Sequence, residues 1–377
     1  MKKAILFVLL VFVGTSAFSQ WLPKFLLTSP SLQENNSNKL TIDVDAVGFF
    51  KNNEYFSPLS KGQTFPGIRI EPTIGFQIDN KLQFKLGIIG RYLSGDQKKH
   101  GLSTFNELFA RIQYAILPNL NLVFGNLYGG ANHQLVEPLY RWERQMVDKP
   151  ESGLQLLYND DRFFADVWVD WRRYIEHGDS VPEVLNFGLS ASARLTPKEK
   201  NFRVTVPFQL TIYHQGGQID TSDEKMVVVG NVATGIKTNW NLRQRIFHSI
   251  DFDTYLLGYF DKKPAEEIRP YKKGWAIYPV ITFNVLNFKL MTGYWHGNKF
   301  FSYDGDPIFS SFNPMYPEEI HAKRQIVTNK ISYFKQLHKY FSLGAQMETY
   351  FDTKESQFDY SFGIALRVNA QLFGKKY

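Results

Sequence analysis

From Phe358 to Phe373 the chain reads FDYSFGIALRVNAQLF, with Phe358, Tyr360, Phe362, Ile364, Leu366, Val368, Ala370 and Leu372 at every second position. Asp359, Ser361, Arg367, Asn369 and Gln371 hold most of the places between. Successive side chains of a strand point to opposite faces, so this stretch has one apolar face and one wet face. Its length, roughly 16 residues, exceeds the ~5–6 of an ordinary globular strand and suits a tilted bilayer crossing of ~9–11 residues with an overhang.

The same alternation recurs upstream. Ile68, Ile70, Ile74, Phe76 and Ile78 oppose Arg69, Glu71, Thr73 and Gln77, and after Asp79-Asn80-Lys81 the residues Leu82, Phe84, Leu86, Ile88 and Tyr92 oppose Gln83, Lys85 and Arg91. Two such runs around a tight polar turn predict a hairpin. Counting all runs from Lys39 onward predicts about 16 strands, within a range of 14–18. Short turns follow even-numbered strands, as at Leu117–Asn119 and Leu286-Asn287, whereas longer segments such as Gly129–Ser152 and His296–Arg324 follow odd-numbered ones. A sandwich has no reason to sort connections by parity; a transmembrane antiparallel up-and-down β-barrel does. Its closure pairs every backbone N–H and C=O within hydrocarbon.

The N-terminus changes the picture from sheet to exported sheet. Lys2 and Lys3 precede an apolar run from Ala4 to about Val13, and Ala17 and Ser19 are the small pair of a cleavage site. Residues 1–19 are therefore expected to be a signal peptide, 20–38 a periplasmic lead-in, and 39–377 a single barrel domain. No later run is long enough for a membrane-spanning helix. The chain has no cysteine, so no disulfide holds it, and its 33 Phe and 20 Tyr suit aromatic belts at two membrane interfaces. Net charge is +7, without a long basic run interleaved with stacking aromatics, which argues against nucleic acid as a partner.

The amphipathic C-terminal strand resembles those of Gram-negative outer-membrane β-barrel proteins, although Gly374, Lys375 and Lys376 intervene before the last aromatic, Tyr377. In architecture the chain resembles general porins, with no specific family motif. The resemblance implies an outer-membrane location with both termini periplasmic. It also implies surrounding lipid and lipopolysaccharide, help from the barrel-assembly machinery during biogenesis, and a third external loop that folds inward to narrow the pore.

The face opposite the apolar stripe carries the candidate chemistry. Arg69, Glu71, Lys85, Arg91, Asp166, Asp170, Arg172, Asp251, Asp253, Glu348 and Arg367 are expected to line a polar lumen. In Gly129–Ser152, Val136, Leu139, Tyr140 and Val147 have helical spacing, with Pro138 near a start and Glu137 and Arg141 four apart. A short amphipathic helix is expected there, and Glu137, Arg141, Glu143, Arg144 and Asp148 are its candidates for a charged constriction.

These features predict a passive channel for small hydrophilic solutes, with no cofactor, no metal and no enzymatic activity. One alternative is a non-conducting barrel for surface polysaccharide or partner binding or assembly, for which the aromatics of His296–Arg324 supply a stacking surface. Another is a membrane-embedded hydrolase or lipid-modifying enzyme. For it, His177, Asp179 and Ser180 crowd too closely to make a triad, whereas His133, His214, Asp304 and Asp306 stand ready to be brought together across strands.

Overall fold

The computed structural model describes residues 24–30, 32, 36–95, 107–265 and 267–376, so the expected signal peptide lies outside the described residues. Sixteen antiparallel strands close into one barrel. They are β1 (Lys39–Glu54), β2 (Gln63–Ile78), β3 (Leu82–Leu93), β4 (Glu107–Leu117), β5 (Leu120–Asn126), β6 (Ser152–Asn159), β7 (Phe163–Arg173) and β8 (Val184–Arg194). Then come β9 (Phe202–Gln215), β10 (Val227–Asn241), β11 (Phe247–Asp261), β12 (Lys273–Val285) and β13 (Phe288–Asn298). The long loop that follows carries a small ribbon of β14 (Phe312–Asn313) and β15 (Tyr316–Ile320), after which β16 (Lys323–His338), β17 (Phe341–Asp352) and β18 (Gln357–Lys376) complete the wall. Closure is between the first and last strands, Lys39 opposite Lys376 through Glu54 opposite Tyr360, with one register shift at Ile42/Asp43.

The alternation decides which way each strand faces. Leu86, Leu256 and Ile364 remain more than half exposed on the outer wall while their neighbours turn inward. Such a band of exposed aliphatic and aromatic side chains has no place on a soluble protein and matches the lipid-facing band of a transmembrane barrel. One mouth carries both ends of the described chain and the short turns 79–81, 118–119, 160–162, 195–201, 242–246, 286–287 and 339–340; the long loops rise from the other. Two details differ from expectation. Strands β1 and β2 continue beyond Phe50 and before Ile68, shortening their connection to 55–62, and the loop 353–356 is shorter than the turn 195–201.

The lumen is filled from the loop side. Tyr255, Tyr259, Tyr278, Trp295 and Tyr350 point inward from the loop-side half of their strands and are buried, together with Phe300, Ile308, Phe309 and Phe312 of the loop 299–322. Trp295 packs 5.1 Å from both Phe300 and Phe309, and Tyr278 packs 5.5 Å from Phe309. Phe300, Phe301, Phe309 and Phe312 of this loop therefore belong to a core, which corrects their reading as a surface for stacking sugars, while Tyr303 and Tyr316 stay partly exposed. An inward-facing wall of tyrosine and tryptophan offers apolar area that the loop folds in to cover.

Candidate functional site

Loop 127–151 enters the same lumen and is tied to strands all round the wall. Its Val136 N–H donates to Gln209 Oε1 of β9 (3.0 Å), Glu143 pairs with Lys51 Nζ of β1 (2.6 Å), and Gln145 O accepts from Arg69 of β2 (3.0 Å). The expected amphipathic helix shrinks to one turn, α1 (Arg144–Val147). Residues 136–142 are turns instead, because their polar groups are drawn to separate long-range partners. Glu137 reaches Lys330 of β16, and the Arg141 N–H donates to Asp304 O (2.7 Å).

Three polar clusters hold this plug. In the first, Lys330 bridges Glu137 and Glu348 (3.0 Å to the latter), Lys51 bridges Glu348 (2.7 Å) and Glu143, and Ser361 Oγ donates to Glu348. All these side chains are about nine-tenths buried or more, so their attraction operates far from bulk water. Beside them lies Asp306, whose carboxyl is pushed up to about 7 by burial and then by Glu143 and Glu137. In the second cluster, His133 holds Asp166 through Nδ1 (2.7 Å) and Glu151 through Nε2 (2.6 Å) and stacks on Trp168 at 3.6 Å. Burial disfavours its imidazolium, but the two carboxylates outweigh that and raise its pKa to about 10. Gly188 makes the stack possible, since a Cβ there would meet the Trp168 ring at 2.0 Å.

The third cluster centres on Asp304. Its carboxylate accepts two bonds from Arg172 (2.8 and 2.6 Å), one from Asn186 (3.1 Å), and lies 3.2 Å from Arg144. Burial would raise this carboxyl, but Arg144 and Arg172 hold it well below the usual carboxylate range.

Beneath the plug, toward the turns, a chamber of about 980 Å³ remains. Asp43, Glu71, Lys85, Arg111 and Arg367 are among its lining residues. Lys85 pairs with Asp43 (3.0 Å), Arg69 with Glu71, and Arg367 with Asp45. Arg111 bonds the carbonyls of Asn126 and Leu127 and lies 3.9 Å over the Tyr128 ring. The lead-in also differs from expectation. Phe25 and Leu26 are buried inside the barrel in one cluster with Trp142 and Met146 of the plug, and Arg367 donates to Phe25 O (2.6 Å) and Leu27 O (2.8 Å).

The remaining candidates fall into place around these features. Arg91 pairs with Glu107 and donates to Val147 O (2.5 Å), Asp170 accepts from the Ser152 N–H (3.0 Å), and Asp251 accepts from Asn239 and Asn284. Asp253 is buried on the same inward face of β11, across from Lys237 in register. Of the constriction candidates, Arg144 and Asp148 reach the chamber, while Glu137 and Glu143 are consumed in buried pairs and do not line it. Lys51, Lys330 and Glu151 escaped notice because their partners are remote in sequence. His177, Asp179 and Ser180 stay in the loop 174–183 at the long-loop mouth, and the His214 ring contacts Gly216 O (3.2 Å).

Fold and lumen together define a sixteen-stranded outer-membrane-type β-barrel with a folded plug. Within that class the chain belongs to the lipid A 3'-O-deacylase-type family, whose profile matches residues 32–377. No curated protein matches the sequence. Among solved structures it is similar to the outer membrane protein OprD from Pseudomonas aeruginosa, at 7% identity and TM-score 0.51 over 93% of this chain and 98% of that one. It is also similar to a BenF-like porin from Pseudomonas fluorescens Pf-5, at 8% identity and TM-score 0.50 over 89% and 100%. At these identities the likeness is one of fold.

Proposed function

We propose that the protein is an outer-membrane channel for small hydrophilic solutes, held closed by loops 127–151 and 299–322, with the turn side periplasmic. The observation that carries this reading is the charged chamber of about 980 Å³ within a wall of sixteen strands. A barrel of this strand number has room for an aqueous path, and here loops held to the wall through side-chain pairs, with no disulfide, fill its middle. Movement of such a plug is a population shift between closed and open states. The test is solute entry into proteoliposomes. Folded protein lacking Gln134–Asp148 is expected to admit small sugars much faster than the intact chain, and equal rates would place the passage elsewhere.

The family match favours a second reading, a barrel that cleaves an acyl ester of lipid A. The geometry supports it less. An imidazole acting as general base needs a free nitrogen beside the nucleophile, and both nitrogens of His133 are occupied by carboxylates. Incubation with purified lipid A and mass spectrometry of the product decides the matter: loss of one acyl chain supports the enzyme, and unchanged lipid A supports the channel.

A further inference from the structure

On the loop side of the plug lies a second cavity of about 320 Å³, lined by Arg144, Arg172, Arg173, Val184, Tyr213, Tyr303 and Asp304. Arg173 and Val184 stand at the loop-side ends of β7 and β8, so this cavity belongs to the opposite mouth from the chamber. Arg144 and Arg172 line both spaces. At this point one layer of side chains separates the two, and that layer is pinned by the Asp304 carboxylate, shared between a guanidinium from β7 and one from α1. Elsewhere the plug is several side chains thick, through the aromatic core and the Lys51/Lys330 cluster.

Resting on the channel reading above, we propose that Arg144, Asp304 and Arg172 form the gate and that the solute class passing it is a small carboxylate- or phosphate-bearing anion. Arg172 holds Asp304 through two parallel N–H···O bonds, the fork geometry that fits any planar carboxylate or a phosphate edge equally well. An incoming oxyanion replaces the Asp304 carboxylate on the two arginines, which keep their charges compensated while Asp304 is released toward solvent. A neutral sugar or a cation offers the guanidiniums no such exchange. Beside the gate, Tyr213 and Tyr303 stack at 4.1 Å and form a flat wall to the loop-side cavity, which suits a compact solute.

Planar-bilayer recordings of purified protein test this, with acetate, inorganic phosphate and chloride as the probe anions and a heat-modifiability gel as the check of folding. Asp304→Asn removes the carboxylate that the two arginines share and leaves Arg172 with Asp170 (2.8 Å) and Arg144 with Asp148 (2.9 Å) as the remaining partner of each. It is expected to raise open probability about tenfold or more and to give reversal potentials favouring anions, with acetate and phosphate supporting current. Arg144→Gln with Arg172→Gln, which keeps Asp304, is the second handle and is expected to conduct with a preference for cations. A folded Asp304→Asn variant as silent as the intact protein would overturn the gate, as would a double variant that keeps an anion preference. The deletion of Gln134–Asp148 tells the two failures apart: if it conducts while Asp304→Asn does not, the gate is elsewhere in a channel; if both are silent, the channel reading fails as well.

Discussion

Glu348 sits between Lys51 and Lys330 with no access to water, and Lys330 carries the plug's Glu137 on its other side. Removing one member of such a cluster strands a buried charge, which costs about 3–5 kcal/mol. Lys330→Met is therefore expected to loosen the loop end at Glu137 without opening the wall, read as faster cleavage within 127–151 by added protease while the heat-modified band stays unchanged. The plug also titrates. Asp306, raised to about 7, carries a penalty that begins above the ordinary carboxylate range and is complete above pH 7. His133, raised to about 10, contributes stability that is whole below the ordinary imidazole value and is lost as pH rises to 10. Both effects run the same way. Glu151 and Asp304, lowered, weaken the plug only at pH below the usual carboxylate range. Protease protection of the two loops is thus expected to fall steadily from about pH 5 to pH 10. Asp306→Asn should flatten the lower part of that fall, and a pH-independent profile would contradict the assignment.

At the scale of elements, the strands were legible in the sequence and the plug was not. A strand that meets lipid on one face and water or polar groups on the other must alternate, so Phe84 and Lys85 declare their sides without reference to any other part of the chain. The chain bears this out in geometry, with Phe84 outward and Lys85 paired inward to Asp43. Phe84→Arg places a cation in the lipid and is expected to cost ~2–4 kcal/mol if it lies near the midplane, whereas Lys85→Glu should be tolerated. Equal loss of the folded band in both variants would contradict this register. The loops have no such local rule. Glu137 and Lys330 are 193 residues apart, and His133 meets Glu151 and Asp166 from 18 and 33 residues away. Helical spacing in 136–147 was real but subordinate to those pairs, and only Arg144–Val147 kept the helix. The aromatics of 299–322 look alike in sequence whether they face solvent, an interface or a core; only the inward-facing Tyr278 and Trp295 decide for the core.

For the whole molecule, a closed wall and an interior held to it through side chains do different work. The wall has its backbone hydrogen bonds satisfied strand to strand, from β1 against β18 round to β1 against β2. The interior is polar, ion-paired and divided into a chamber, a plug and a smaller loop-side cavity. The family match and the channel architecture point to different activities, which incubation with lipid A and solute-entry assays separate. The central claim is that the plug closes an aqueous path. Single-channel recording of the intact chain beside the chain lacking Gln134–Asp148 tests it most directly. The account predicts brief, rare openings in the first and a steady, larger conductance in the second; a folded, deleted barrel that stays silent would contradict it.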